Sequence, residues 1–124
     1  MTRLILPLPP SVNHAYRNFT TKRGERKRVP TANAVRFKRD AGWLAKAWAQ
    51  RTGWSKTERQ KVIMRYWVYW PDGRKRDVDN LLKFLEDSLV GILVDDDRYL
   101  LPRAMDYEVD KQNPRLEIEI EIMG

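Results

Sequence analysis

The chain has 124 residues, with 24 Lys and Arg against 17 Asp and Glu, a formal net charge of +7, one histidine and no cysteine. That length suits one domain with a real core, residues 1–124. The missing thiols exclude disulfides, thiolate nucleophiles and cysteine-held zinc, and the single His14 excludes any two-imidazole site, so chemistry must come from carboxylates, amines, hydroxyls or an oxygen-held metal.

No apolar run approaches the ~18–20 residues that span a bilayer, so a soluble, cytoplasmic chain without membrane contact is expected. "RLILPLPP" reads as a short strand closed by prolines. Asn13 to Pro30 lacks apolar periodicity and reads as a long loop carrying a basic arm, "TTKRGERKR", around Gly24. From Asn33 the pattern is helical, with Phe37, Ala41, Leu44 and Trp48 on one stripe and Gly53 as its stop. "KVIMRYWVYW", Lys61 to Trp70, is β-branched and aromatic, hence a strand, and "PDG" turns the chain after it.

A second helix carries Val78, Leu81, Leu82, Leu85 and Leu89 on one face and ends at Gly91. "RAMDYEVD" and "RLEIEIEI" read as two further strands joined by "KQNP". The last alternates, with Leu116, Ile118, Ile120 and Ile122 inward and glutamates outward. The order β-α-β-α-β-β predicts an α/β (α+β) fold, two helices on a small mixed sheet. Trp43, Trp48, Trp67 and Trp70 are expected in the core or an interface, while Trp54 is open.

Charge is unevenly distributed. From Arg17 to Arg39 there are nine basic residues and one acid, Glu25; from Asp77 to Asp110 there are ten acids and three bases. The first region attracts a polyanion and the second repels it unless cations intervene, which favours a nucleic-acid partner.

Within the acidic region, Asp77 and Asp79 lie two apart. On a helix that spacing means opposite faces, and on extended chain the same face, so the helix has to begin at or after Asp79 for them to converge. Asp79 also suits a helix N-cap. Lys83 follows four residues later, as a surface ion pair or as an ammonium aimed at whatever the aspartates bind. Asp77, Asp79 and one of Asp95 to Asp97 would give hard oxygen ligands for Mg²⁺, and such a site would hydrolyse the phosphodiester that the basic residues hold.

"RDVDNLLK", Arg76 to Lys83, followed by a later aspartate pair, resembles the RusA family of Holliday-junction resolvases. "LPLPPSVNHAYR", Leu6 to Arg17, resembles the same family's start. The resemblance implies a homodimeric endonuclease of bacteria and their prophages, acting in DNA recombination and repair. It would nick four-way junctions symmetrically with Mg²⁺ or Mn²⁺. It implies Asp77, Asp79 and Asp97, with Asp96 the alternative, as metal ligands, Lys83 as the catalytic lysine, and Asn80 as a support of the site. The DNA contacts expected are Asn13, Tyr16, Arg17, Lys22, Arg23, Arg26, Lys27, Arg28, Arg74, Lys75, Arg76 and Asn80. The rival readings are a non-catalytic nucleic-acid-binding module and a nuclease of other branched DNA.

Overall fold

A computed structural model of the chain describes residues 2–10, 16–74, 76 and 78–124, without the side chains of residues 16–19, 27, 28, 79 and 80. Strand β1 (Leu4–Leu6) is followed by β2 (Tyr16–Thr20), β3 (Arg26–Pro30) and helix α1 (Ala32–Thr52). Then come β4 (Val62–Trp70), helix α2 (Leu82–Leu89), β5 (Leu100–Val109) and β6 (Arg115–Ile122). Four strands form one mixed sheet in the order β1-β6-β4-β5, with β4 antiparallel to β6 and parallel to β5. The parallel step needs a crossover, and α2 supplies it. This is the α+β class expected.

The region expected to be a loop contains a β-ribbon. β2 and β3 pair antiparallel from Tyr16↔Pro30 to Thr20↔Arg26, and Gly24, at φ +82°, turns the tip. The ribbon forms a two-stranded sheet of its own, separate from the four-stranded sheet.

α1 starts where Thr31 Oγ1 accepts from Ala34 N (3.3 Å) and stops at Gly53, whose left-handed φ of 79° and N–H to Ala49 O (2.9 Å) close the last turn. Its buried stripe is Ala34, Phe37, Ala41, Ala45 and Trp48. Leu44 is 41% exposed, a correction: period 3.6 hands the inward position to Ala45, four residues after Ala41. Trp43, 74% exposed, is likewise no core residue of this chain, because it lies on the outer surface of α1.

Both helices cover the sheet face made by Val62, Met64, Tyr66, Val68, Leu116, Ile118 and Ile120. Phe37 of α1 meets Phe84 of α2 at 5.5 Å between ring centres. Ile122, expected inward, is 47% exposed because the helix layer ends short of it. β5 begins at Leu100, earlier than its sequence pattern suggests, and its C-terminal half is exposed at the sheet edge.

The opposite sheet face is polar. Arg3 lies 3.6 Å over the Trp67 ring and bonds Glu117 (3.1 Å) and Glu119 (3.2 Å). Arg115 lies 3.8 Å over Tyr69 and bonds Glu117 (2.7 Å) and Asp110 (2.8 Å). The outward glutamates of β6 are therefore cross-strand ion-pair partners, and Trp67 is roofed by a guanidinium.

Candidate active site and nucleic-acid surface

A 3₁₀ turn, Val78–Leu81, leads into α2. Asp79 thus stands on backbone that is already helical, and the residue flanking the α-helix is Leu81, which makes no side-chain cap. The expected α-helical cap at Asp79 is corrected on this point, since the 3₁₀ turn places Leu81, not Asp79, at the position flanking α2. Leu81, Phe84, Leu85, Ser88 and Leu89 turn inward, while Lys83 is exposed and Glu86 and Asp87 are partly so.

After α2 the chain is fastened residue by residue. Gly91, at φ +86°, donates to Val94 O (2.7 Å). Leu93 O accepts from Thr57 N (3.2 Å) and from Trp54 Nε1 (3.1 Å), so Trp54 serves as a clamp on this loop. Asp95 Oδ2 accepts from Arg59 N (3.0 Å), while Asp95 Oδ1 is buried and has no hydrogen-bond partner. Asp96 Oδ1 accepts from Arg98 N (3.0 Å) and caps the 3₁₀ turn Asp97–Tyr99 that enters β5.

The charges of α2 and of this loop act on each other. The Arg98 amide, then a hydrogen bond from Asp97, hold Asp96 below the usual carboxylate range. The same bond with Asp96, followed by desolvation and the charges of Asp96 and Asp87, raises Asp97, and Lys83 opposes that rise. Glu86 is pushed up to about 7 by burial and by the charges of Asp97 and Asp87.

The structure thus brings together three residues expected at the site, Lys83, Asp96 and Asp97, and adds Glu86 and Asp87. These two sit three and four residues past Lys83, a spacing that puts them on its helical surface and is readable in the sequence. Asp79 precedes Lys83 by one turn of backbone; its side chain, like all of Asp77, lies outside the described residues.

Among the described residues no three His, Asp or Glu side chains are grouped to hold a metal. A three-carboxylate ligand set would therefore have to draw on Asp77 or Asp79. The donors at hand are all oxygens, and the charge of Asp96 is among the causes that raise Asp97. That chemistry fits a hard divalent cation.

The ribbon presents Lys22, Arg23 and Arg26, all exposed, around its tip. Tyr16, Arg17, Lys27 and Arg28 lie within its strands, with side chains not described; Asn13 and Lys75 lie outside the described residues, and Asn80 is placed by backbone alone. Arg74 is 82% exposed. Arg76 is engaged within the chain. It pairs with Asp72 (2.8 Å), holding that carboxyl below its usual range, and lies 4.9 Å from the Trp70 ring centre. Among the described residues no helix is long and apolar enough to cross a membrane.

The family model described as Endodeoxyribonuclease RusA matches residues 7–121. No curated protein matches the chain.

Proposed function

The chain belongs to the RusA endodeoxyribonuclease family, and on that premise we propose that it resolves four-way DNA junctions by paired symmetric nicks, in recombination and repair. The observation that carries the reading is the pinned loop after α2, in which Asp96 caps the turn that begins at Asp97, with the charge of Lys83 felt at Asp97. Asp77, Asp79 and Asp97, with Asp96 as the alternative to Asp97, would hold Mg²⁺ or Mn²⁺. Such an ion supplies polarisation of the scissile phosphate and activation of the attacking water.

The chain's own residues do the rest. Asp96 caps the Asp97–Tyr99 turn and so orients Asp97. Lys83 offsets negative charge that develops on the phosphate oxygens, an effect strongest where water is scarce. The ribbon, a two-stranded element with exposed cations, is of a size the major groove admits. It holds duplex near the branch while the acidic loop meets one strand. Two nicks related by a two-fold axis call for two such sites, so the working form is a C2 homodimer.

The test is a labelled four-way junction beside a matching linear duplex, with Mg²⁺ or EDTA, for the native chain and Asp79→Asn. Metal-dependent paired nicks in the junction alone, lost in the variant, support the reading. Junction binding without cutting would leave a binding module, and equal cutting of duplex would remove junction selectivity.

A further inference from the structure

Between the two helices and the end of the ribbon lies a cleft of about 390 Å³. Among the described residues its floor is apolar, made by Ala34 of α1 and Phe84 of α2, with Val35 at its mouth. Its rim is charged on both sides: Lys38 and Arg39 on α1, Asp87 on α2. The volume falls in the ~300–1,000 Å³ range of small-ligand sites.

Chemistry narrows the occupant. A phosphate alone would leave the apolar floor and the carboxylate unused, and an apolar ligand would strand the charged rim. A nucleotide uses all of it: phosphate toward Lys38 and Arg39, base against the floor, an edge amino group toward Asp87.

Position narrows it further. On α2, Asp87 stands about 40° around the axis from Lys83, and Phe84 about 100°. The cleft therefore opens directly beside the surface that faces the acidic loop, and the two share Asp87. Pro30, which closes one wall, is the last residue of β3. The cleft thus joins the last residue of the ribbon, Pro30, to Asp87 on α2.

We propose that this cleft receives one nucleotide of the substrate DNA, unpaired and turned out of the stack next to the scissile phosphate; the proposal rests on the nuclease reading above. A base held this way adds sequence preference at one position, whereas Lys and Arg contacts to phosphate carry none.

The experiment places 2-aminopurine at successive positions around the branch point of a synthetic junction and adds the full chain in EDTA, so that binding is read without cutting. One position is expected to brighten by about threefold or more as its base leaves the stack. At protein concentrations shown by gel shift to saturate the junction, Val35→Trp, which fills the mouth from an exposed helical position, should abolish the brightening. Lys38→Ala, a second variant that removes a rim cation, should reduce it.

No brightened position, or brightening that survives Val35→Trp, overturns the proposal. The same proteins are then assayed with Mg²⁺. Nicking without brightening removes the nucleotide site and leaves the nuclease. Brightening lost in Val35→Trp, without any nicking by the native chain, leaves the nucleotide site and removes the nuclease.

Discussion

The acidic loop and the basic ribbon differ in how they are held. The loop from Val90 to Tyr99 is pinned from outside by Trp54, Thr57 and Arg59 and from within by Gly91 and Asp96. The ribbon is held by its own ladder and by the turn in which Thr21 accepts from Gly24 and donates to Glu25. Reacting groups have to stand within a fraction of an ångström of the productive geometry, and a phosphate-tracking arm does not. The difference is what the proposed division requires, with chemistry at the loop and α2 and holding of the polyanion by the ribbon.

The largest expected effect breaks the chemical half. Asp79→Asn should lower cleavage of the junction by more than about 10³-fold, with binding unchanged or tighter because a repulsive carboxylate is gone. Single-turnover rates beside a gel-shift titration measure both, and full cleavage by the variant would remove Asp79 from the mechanism. Lys83→Ala should cost about 10²–10³-fold in rate with unaltered melting; an unchanged rate makes it a plain surface cation. Asp97→Asn and Asp96→Asn sharpen the site further. If Asp97 is the third ligand, its variant loses cleavage while Asp96→Asn, whose amide oxygen still caps Arg98 N, keeps a measurable fraction; the reverse ranking would exchange their roles.

Neutralising Lys22, Arg23 and Arg26 together breaks the binding half. Binding should weaken and the slope of log K against log salt should flatten by about 0.9 for each phosphate that is no longer neutralised, up to ~3 in all, while the rate at saturation holds. A fall in the saturated rate with no change of slope would place these cations in the chemistry instead.

The smallest effect is on stability. Glu86 is raised from 4.5 to about 7 in the fold, so the unfolded chain ionises first as pH rises. The contribution of Glu86 to stability is therefore fully present below about pH 4.5, is lost between about 4.5 and 7, and is level above that. Allowing for solvent screening of a half-buried group, the loss is ~1–2 kcal/mol. Thermal melts across that range should show the native chain losing stability relative to Glu86→Gln as pH rises, and Mg²⁺ should lessen that loss if the ion sits beside the acidic loop.

How much of this is legible in the sequence differs between the same two regions. Strands with a buried face announce themselves: Val62 to Val68 and Leu116 to Ile120 alternate because one side of the sheet is dry. Asp77, Asp79, Lys83 and the later aspartates stand out because carboxylates are concentrated in a basic chain. The ribbon leaves no such mark because its segment, Asn13 to Pro30, has no apolar alternation to read. Leu44 and Ile122 are misplaced by pattern alone, since pattern gives a face but not where the opposing layer stops. Glu86 and Asp87 look like ordinary helix charges in the sequence, and only the fold of the loop back toward α2 gives them partners.

β1 is three residues long, and it pairs Leu4 with Ile118 and Leu6 with Leu116. A pairing that spans almost the whole chain is slow to form. While the chain is being made, every aspartate of the acidic loop emerges before β6, so the catalytic surface exists as sequence before the sheet beneath it can close. Until then β6 has no neighbour on its outer side, and its alternating Leu and Ile residues are free to pair edge to edge with another chain. Loss of the first six residues would recreate that open edge in the finished protein, so a shortened chain is expected to aggregate before it shows any defect in catalysis.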